Sequence, residues 1–501
     1  MPDRACAATH WYRCFARVFI CRVRMIRPAR KTSGRESMSS KGGAGPHHGA
    51  PLETPSNDSA NEAAITRTFD DLRTFRHNWW APILLGVITL FNSWDSIAMA
   101  YVMPTLSIEW KLNPFVMGVL ISACYAGQFL GAVTLGSIAE RVGRLPVFIC
   151  AAVSMTVLAL ACSQAQDYMT LLTLRLIQGI MIGGALPVAV SYINEIAPTK
   201  TRGRYFGLFQ TLALSGYGVA SISSPFVIGH LGWRWMLGLG ALPLVLVPLV
   251  WLTLPESPRW LVRRGKMDAA NKALRKLGAE PVDFVEEAPG SGAQKRRAAN
   301  LFTLFSGQYR TKTVTITLLW FLTMATSFGM TTWVPSIYVK VFHIPVKQAL
   351  TFTAITSVFH WIALVLAGVL IDRFGRRPMA MGGLLLAATP LLIMAVFNPS
   401  QPFHVFPLFF IAQVSMFYGT FALWPYTAES YPTNVRALAL GYGSSIGRSA
   451  SMLMPLFVGF ILNEGAPIGI VLTAFGFSAL GSLLVWRTRT QETAGKPLQL
   501  T

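Results

Sequence analysis

The chain has 501 residues, of which 52% are hydrophobic and only 13% are charged, and its mean hydropathy is +0.46. A soluble globular protein of this length needs a larger share of charged surface residues, so the composition excludes that class. The net charge of +21 would suggest a nucleic-acid partner in a soluble protein, but its distribution along this chain reports membrane topology instead.

The first 78 residues differ in kind from the rest of the chain. Residues 13–31 are basic and interrupted by arginine every few positions, and residues 37–64 are of low complexity. We expect residues 1–78 to form a disordered cytoplasmic tail. Two alternatives stay open: the basic stretch is an amphipathic surface helix or a transit-like segment, or translation begins later, at Met25 or Met38.

Twelve nearly uncharged runs of about twenty residues follow, each long enough to cross a hydrocarbon core of about 30 Å. They predict an all-α polytopic membrane protein with twelve transmembrane helices, here called spans 1 to 12. The predicted spans are residues 82–106, 115–137, 146–164, 169–193, 205–227, 235–254, 313–337, 350–371, 378–397, 404–427, 438–461 and 467–486.

The charges in the loops fix the orientation. With the N-terminus inside, the inner loops and C-terminal tail after Pro104 hold 24 lysines and arginines, whereas the outer loops hold four. This is the positive-inside asymmetry, which places both termini in the cytoplasm. We therefore predict a multi-pass protein of a cell membrane, a bacterial inner membrane being favoured.

The chain repeats itself at nearly one spacing. GSIAERVGRLP (136–146) returns as GVLIDRFGRRP (368–378) at an offset of 232, and EIAPTKTR (195–202) returns as ESYPTNVR (429–436) at an offset of 234. These matches predict two equivalent six-helix halves. The expected division is a first bundle at 79–261, a cytoplasmic linker at 262–312, a second bundle at 313–487 and a tail at 488–501.

These motifs carry a family resemblance. The repeated inner-loop sequence, RLIQGIMIGG (175–184), PESPRWL (255–261) and RTRTQETAGKPL (487–498) together resemble the major facilitator superfamily of secondary transporters. The resemblance implies an inner charge network that latches helix ends, with Glu140 standing where the family usually has aspartate. We expect Glu195 to pair with Arg202, and Glu429 with Arg436, when the inner side is closed. The implied gating residues are Gly136, Glu140, Arg141, Arg144, Glu195, Arg202, Asp372, Arg373, Arg376, Glu429 and Arg436.

Four ionisable side chains lie inside predicted spans: Asp95, Arg175, His360 and Arg448. A charge near mid-membrane costs at least ~2.5–3.5 kcal/mol on insertion scales, so each is a candidate functional residue. Structural alternatives stay open: Asp95 can simply pair with an arginine, Arg175 can snorkel, and His360 can make a core hydrogen bond. Arg448 has no charged equivalent in the first half, which favours function.

The pair Asp95 and Arg448 suggests a mechanism. A buried carboxyl group that alternately meets water on each side can carry a proton, and a buried guanidinium offers a two-pronged donor for a substrate carboxylate. We predict Asp95, or next His360, as the proton carrier, and Arg448 with Arg175 as substrate-binding residues. Apolar walls for a ring, or alternatively plain packing, are expected from Trp94, Tyr125, Trp333, Trp361 and Trp424.

Two branches of the superfamily compete. Residues 425–455 closely resemble spans 10 and 11 of aromatic-acid:proton symporters and niacin transporters, although Asn92 replaces the first acid of their span 1 motif. Span 7 lacks the paired glutamines of sugar porters. We predict a monomeric proton symporter of a small organic acid, such as nicotinate or a benzoate, with a proton-coupled sugar or other metabolite transporter as the alternative. We expect neither an enzyme nor a bound cofactor or metal.

Overall fold

A computed structural model describes residues 61, 64–68, 79–198, 201–284, 301–399 and 401–493, and within these ranges all regular structure is helical. The all-α fold with two six-helix bundles is confirmed. In the first bundle, spans 1 to 5 are Trp80–Glu109, Pro114–Val142, Arg144–Ser163, Tyr168–Ile196 and Arg202–Leu231, and span 6 runs from Trp233 to Thr253. In the second bundle, spans 7 to 12 are Arg310–Lys340, Val346–Phe374, Arg376–Phe397, Pro402–Ser430, Thr433–Asn463 and Ile468–Arg489.

The two bundles repeat the same internal packing. Span 1 packs against span 5 as span 7 packs against span 11, and span 2 packs against span 4 as span 8 packs against span 10. The interface between bundles has the same symmetry, because it pairs span 2 with span 11 and span 5 with span 8. A site between the bundles is therefore lined by these four helices together with spans 1 and 7.

Span 6 is the irregular helix of the first bundle. Its middle third, Leu239–Val245, is a 3₁₀ helix between two short α-helical pieces, and Pro243 lies within it. The tighter winding follows from proline, which removes a backbone donor and disfavours a continuous α-helix. This segment lies opposite the middle of span 1.

The inner loops between spans 2 and 3 and between spans 8 and 9 are shorter than the sequence predicts. Span 2 continues as a helix through Val142, and the single residue Gly143, with φ 124°, turns the chain into span 3. Gly375, with φ 91°, does the same between spans 8 and 9. Only glycine tolerates this backbone conformation without strain, so the repeated motif is mostly helix closed by a one-residue turn.

The bundles touch tightly at the outer side. Gly118 of span 2 and Gly459 of span 11 cross so closely that a Cβ on either one would meet the other helix's backbone, at 2.5 Å from the Pro455 carbonyl oxygen and 2.6 Å from the Pro114 carbonyl oxygen. At the outer surface, Lys340 Nζ donates to the Leu112 carbonyl at 2.9 Å.

The inner halves of the same helices lack such contacts. Gly136 of span 2, Gly368 of span 8 and Gly441 of span 11 would each have open space around an added Cβ. Ser221 Oγ donates to the Thr353 carbonyl at 3.2 Å, so hydrogen bonding between described residues of the two bundles lies in the outer half. In the predicted orientation, the described bundles are thus in contact on the outer side, and these three glycines have open space on the inner side.

Short helices cover the inner end of the first bundle. The helix Pro258–Arg263 crosses the predicted boundary at 261, and the helix Met267–Lys276 lies in the predicted linker. Residues 285–300 of that linker fall outside the described ranges. Residues 64–68, inside the predicted tail, are helical. Ile65 is fully buried against this layer, and Thr66 Oγ1 accepts a hydrogen bond from Arg259 Nη2 at 3.1 Å.

Candidate functional site

Asp95 lies halfway along span 1 and is 1% exposed. Neither of its carboxyl oxygens has a hydrogen-bond partner among the described residues. Its side chain points at span 6, where a Cβ added to Gly240 would come within 2.2 Å of Oδ1. The acid therefore lies inside the first bundle, against the 3₁₀ segment, a neighbour that the sequence did not predict.

Arg175 is the cation nearest to this acid. The side chain is fully buried, so it does not snorkel to the outer interface. Its Nη1 donates to the Asp95 backbone carbonyl and to Gln178 Oε1, each at 3.0 Å, while the carboxyl group of Asp95 interacts with the guanidinium only electrostatically. Spans 1 and 4 are thus tied through Arg175 without a salt bridge between the two side chains.

Arg448 lies halfway along span 11 on the face that meets the first bundle. It is half-buried and donates no hydrogen bond to any described residue. The group with which it interacts electrostatically is Tyr217 of span 5, across the interface. An arginine in this position offers its whole donor fork to a ligand.

Behind Tyr217 lies a set of polar and aromatic side chains, most of which the sequence did not predict as site residues. Gln128 Nε2 donates to Ser96 Oγ at 3.0 Å, and Tyr125 Oη donates to the Ser96 carbonyl at 3.3 Å. The Tyr125 ring meets Phe328 of span 7 edge-on, with centroids 5.7 Å apart. Tyr101 lies beside Ser221 of span 5 and Ser357 of span 8. We call Ser96, Tyr101, Tyr125, Gln128 and Tyr217 the tyrosine cluster.

His360 occupies a different environment. Its side chain lies near the backbone of Gln413 in span 10, and the centroids of its ring and of the Phe417 ring are 6.1 Å apart. These contacts are all within the second bundle, so the structure does not bring His360 together with Asp95 or Arg448.

The predicted aromatic walls divide into two groups. Trp94 Nε1 donates to the Met236 carbonyl in the first bundle, and Trp333 Nε1 donates to the Pro455 carbonyl in the second, so each ring packs within its own bundle. Trp361 lies at the bundle interface, where its Nε1 would be 2.0 Å from a Cβ on Gly218. Trp424 is 47% exposed and packs edge-on against Trp320.

The inner charge network of the first bundle centres on Arg144. Its guanidinium pairs with Glu140 at 2.8 Å and with Glu195 at 3.1 Å. Glu195 is thus bound to Arg144 rather than to Arg202, whose buried Nε has no hydrogen-bond partner among the described residues. Arg141 is exposed.

The second bundle repeats this network around Arg376. The guanidinium pairs with Asp372 at 2.7 Å and with Glu429 at 2.9 Å. Arg436 Nη2 is buried and has no partner in the part of the chain that the structure describes, and Arg373 is exposed. The expected pairing of Glu195 with Arg202, and of Glu429 with Arg436, concerns a state closed inside and stays a prediction; in this structure the two glutamates bind Arg144 and Arg376.

Two further carboxylates, each in a quoted motif, cap the helices that follow the glycine turns. Glu256 Oε1 accepts from the backbone N–H of Arg144 at 3.1 Å, and Glu492 Oε1 accepts from that of Arg376 at 3.0 Å. Burial raises the pKa of Glu256 to about 6, with the backbone donors acting in the opposite direction. The sequence feature that could have identified both glutamates is their position in the motifs PESPRWL and QETAGKPL, just after spans 6 and 12.

Comparison with known proteins yields consistent matches over most of the chain. The family described as "Sugar (and other) transporter" matches residues 85–501. The niacin transporter NiaP of Acinetobacter baylyi is 30% identical over 423 residues, covering 83% of this chain and 94% of that protein. The gallate transporter of Pseudomonas putida is 28% identical, covering 81% and 91%. A crystal structure of a D-xylose-proton symporter is similar in fold, with a TM-score of 0.65 and 19% identity, covering 84% of this chain and 100% of that one.

Proposed function

The chain belongs to the sugar (and other) transporter family, and we propose that it carries a small aromatic carboxylate across the membrane together with a proton. As a member of this family it is a multi-pass membrane transporter and not an enzyme. The names of two relatives, a niacin transporter and a gallate transporter, support an aromatic acid as the substrate.

The observation that carries the proposal is the free donor fork of Arg448. A guanidinium in the middle of a span costs insertion free energy, and no described side chain offsets it with an ion pair. A substrate carboxylate can accept two parallel hydrogen bonds from it and complete the site. Tyr125, Phe328 and Trp361 lie at the same interface and supply rings against which an aromatic substrate packs.

Asp95 is the proposed proton carrier. A buried carboxylate without donors would carry a large desolvation penalty, so this pocket suits the neutral, protonated acid. Arg175 lies close enough to stabilise the charged form once water reaches the carboxyl group. In this mechanism, the acid loads its proton from outside and releases it inside during the change of access.

Substrate binding tests the carboxylate assignment. In isothermal titrations of nicotinate, benzoate and gallate against purified protein, Arg448→Lys should weaken binding because an ammonium lacks the planar fork, and Arg448→Gln should weaken it further. His360→Gln serves as the matched control, since the contacts of His360 with described residues lie within the second bundle. Wild-type affinity in both Arg448 variants would refute the assignment.

The proton role has its own test. Asp95→Asn mimics a permanently protonated acid, so it should retain exchange of labelled substrate between the two sides of a vesicle and lose accumulation driven by a pH gradient. Equal loss of both activities would make Asp95 a binding or structural residue. Full accumulation in Asp95→Asn would remove it from the coupling mechanism and leave His360 as the next candidate.

A second candidate, proton-coupled transport of a sugar or another metabolite, is favoured by the family description and by the PESPRWL motif. The same titrations with arabinose, xylose and glucose separate the two, because a sugar lacks the anionic group that Arg448 binds. We further propose that the protein works as a monomer in a bacterial inner membrane with both termini in the cytoplasm.

A further inference from the structure

Tyr217 of span 5 and Arg448 of span 11 lie halfway along their helices and interact electrostatically across the interface between the bundles. The next residue along span 5, Gly218, is where span 8 comes closest, because the indole of Trp361 occupies the space that a side chain at Gly218 would need. The missing Cβ therefore brings the two bundles together directly beside Tyr217. Tyr217 therefore lies next to the point where spans 5 and 8 approach each other at the interface.

The Tyr217 side chain is also supported from behind. It lies next to Ser96, whose Oγ donates to the Asn92 carbonyl at 2.8 Å and accepts from Gln128 Nε2 at 3.0 Å. Since the one hydroxyl proton of Ser96 is already committed to Asn92, Ser96 offers Tyr217 an acceptor only. The phenolic O–H of Tyr217 is thus held near a neutral acceptor and is free to turn to a stronger one.

A carboxylate bound at Arg448 needs more than the arginine can supply. Its two oxygens have about four lone-pair sites, and a two-pronged guanidinium satisfies two of them. In a site shielded from water, the remaining lone pairs require donors from the facing bundle. Hydrogen bonds to a charged acceptor are roughly twice as strong as neutral ones, so the Tyr217 hydroxyl gains by leaving Ser96 for the carboxylate.

We propose that Tyr217 donates its phenolic O–H to the substrate carboxylate held by Arg448, so that the bound carboxylate joins the two bundles. This inference rests on the proposed function and deepens it. It makes Tyr217 a specificity residue for the carboxylate group itself, and it links substrate binding to closure, since the ligand is held by span 5 of one bundle and span 11 of the other.

The test compares an acid with its neutral amide. Titrations of the full-length protein with nicotinate and with nicotinamide are carried out on wild type and Tyr217→Phe, which keeps the ring and loses only the hydroxyl. The matched control is Tyr192→Phe, whose hydroxyl donates to the Pro255 carbonyl at the inner end of the first bundle. We expect Tyr217→Phe to weaken nicotinate about 10- to 100-fold and to leave nicotinamide unchanged, with Tyr192→Phe like wild type.

Several outcomes would overturn the inference. Unchanged nicotinate affinity in Tyr217→Phe, with affinity lost in Arg448→Gln, would refute the role of Tyr217 and leave the proposed function standing. An equal loss for nicotinate and nicotinamide would make Tyr217 a packing residue. Wild-type protein that binds no carboxylate would refute the proposed function and the inference together. A melting temperature of ligand-free Tyr217→Phe equal to that of wild type confirms that the variant is folded.

Discussion

The contact between Asp95 and Gly240 can be tested by adding one methyl group. In Gly240→Ala, the new Cβ would lie 2.2 Å from Asp95 Oδ1 and 2.8 Å from Cγ, far inside van der Waals contact. Because the carboxyl group is fully buried, it can yield only by moving the neighbouring helices, and overpacking of this kind costs about 1–3 kcal/mol. The expected result is a less stable protein whose pH-gradient-driven uptake is impaired.

A glycine two residues earlier in span 6 provides the matched control. In Gly238→Ala, the new Cβ would meet Ser163 at 3.5 Å, which is ordinary contact, and alanine is favoured over glycine in a helix by roughly 0.5–1 kcal/mol. We therefore expect Gly238→Ala to be as stable as wild type or slightly more stable, with normal uptake.

The double variant Asp95→Ala/Gly240→Ala isolates the contact. Truncating Asp95 removes the clashing atoms, so the loss of stability from Gly240→Ala should largely disappear in the Asp95→Ala background, with an interaction free energy of about 1–3 kcal/mol. The measurement is denaturation of purified protein in detergent for all four members of the cycle. The reasoning would be refuted if Gly240→Ala and Gly238→Ala behaved alike, or if the double variant lost the sum of the two single effects.

Two further predictions concern Glu256, at the inner end of the first bundle, and Gly459, at the outer contact between the bundles. The pKa of Glu256 is raised from 4.5 to about 6, so the folded protein binds this proton more tightly than the unfolded chain does. The contribution of the protonated carboxyl group to the free energy of unfolding is therefore full below pH 4.5. It falls by up to about 2 kcal/mol as the pH rises through 6. Denaturation of Glu256→Gln should lack this fall, and an unchanged pH profile would contradict the assignment. In Gly459→Ala, the new Cβ would meet the Pro114 carbonyl oxygen at 2.6 Å, so outer closure should weaken about tenfold or more. A membrane-impermeant thiol reagent should then label Ser221→Cys faster from outside, whereas Gly441→Ala, which has open space, should leave the labelling rate unchanged.

The sequence was sufficient for the architecture, for a physical reason. Twelve lipid-length apolar runs and a repeat at one offset have few alternative folds, because every backbone polar group in a membrane must be bonded within its own helix. Mid-depth positions for Asp95 and Arg448 follow from the same counting of residues along a span.

The direction in which each side chain points could not be predicted. Lipid and protein interior are both apolar, so a membrane span has no amphipathic period that tells one face from another. The sequence therefore did not predict that Asp95 faces Gly240 of span 6, and Tyr217 was not identified because a tyrosine in an apolar run carries no charge signal. The pairing of Glu195 with Arg202, and of Glu429 with Arg436, stays a prediction for the state closed inside. The sequence did not predict the contacts of the two glutamates with Arg144 and Arg376, because long-range contacts leave no local pattern.

The carboxylate caps have a consequence for the order in which the protein can be completed during synthesis. Glu256 is 112 residues downstream of the Arg144 amide that it caps, and Glu492 is 116 residues downstream of the Arg376 amide. The start of span 3 thus remains uncapped on the ribosome until span 6 has been made, and the start of span 9 remains uncapped until span 12 has been made. In each bundle, a glutamate that follows the last helix caps the start of the third helix. Neither bundle can therefore reach its final inner surface before all six of its helices have entered the membrane.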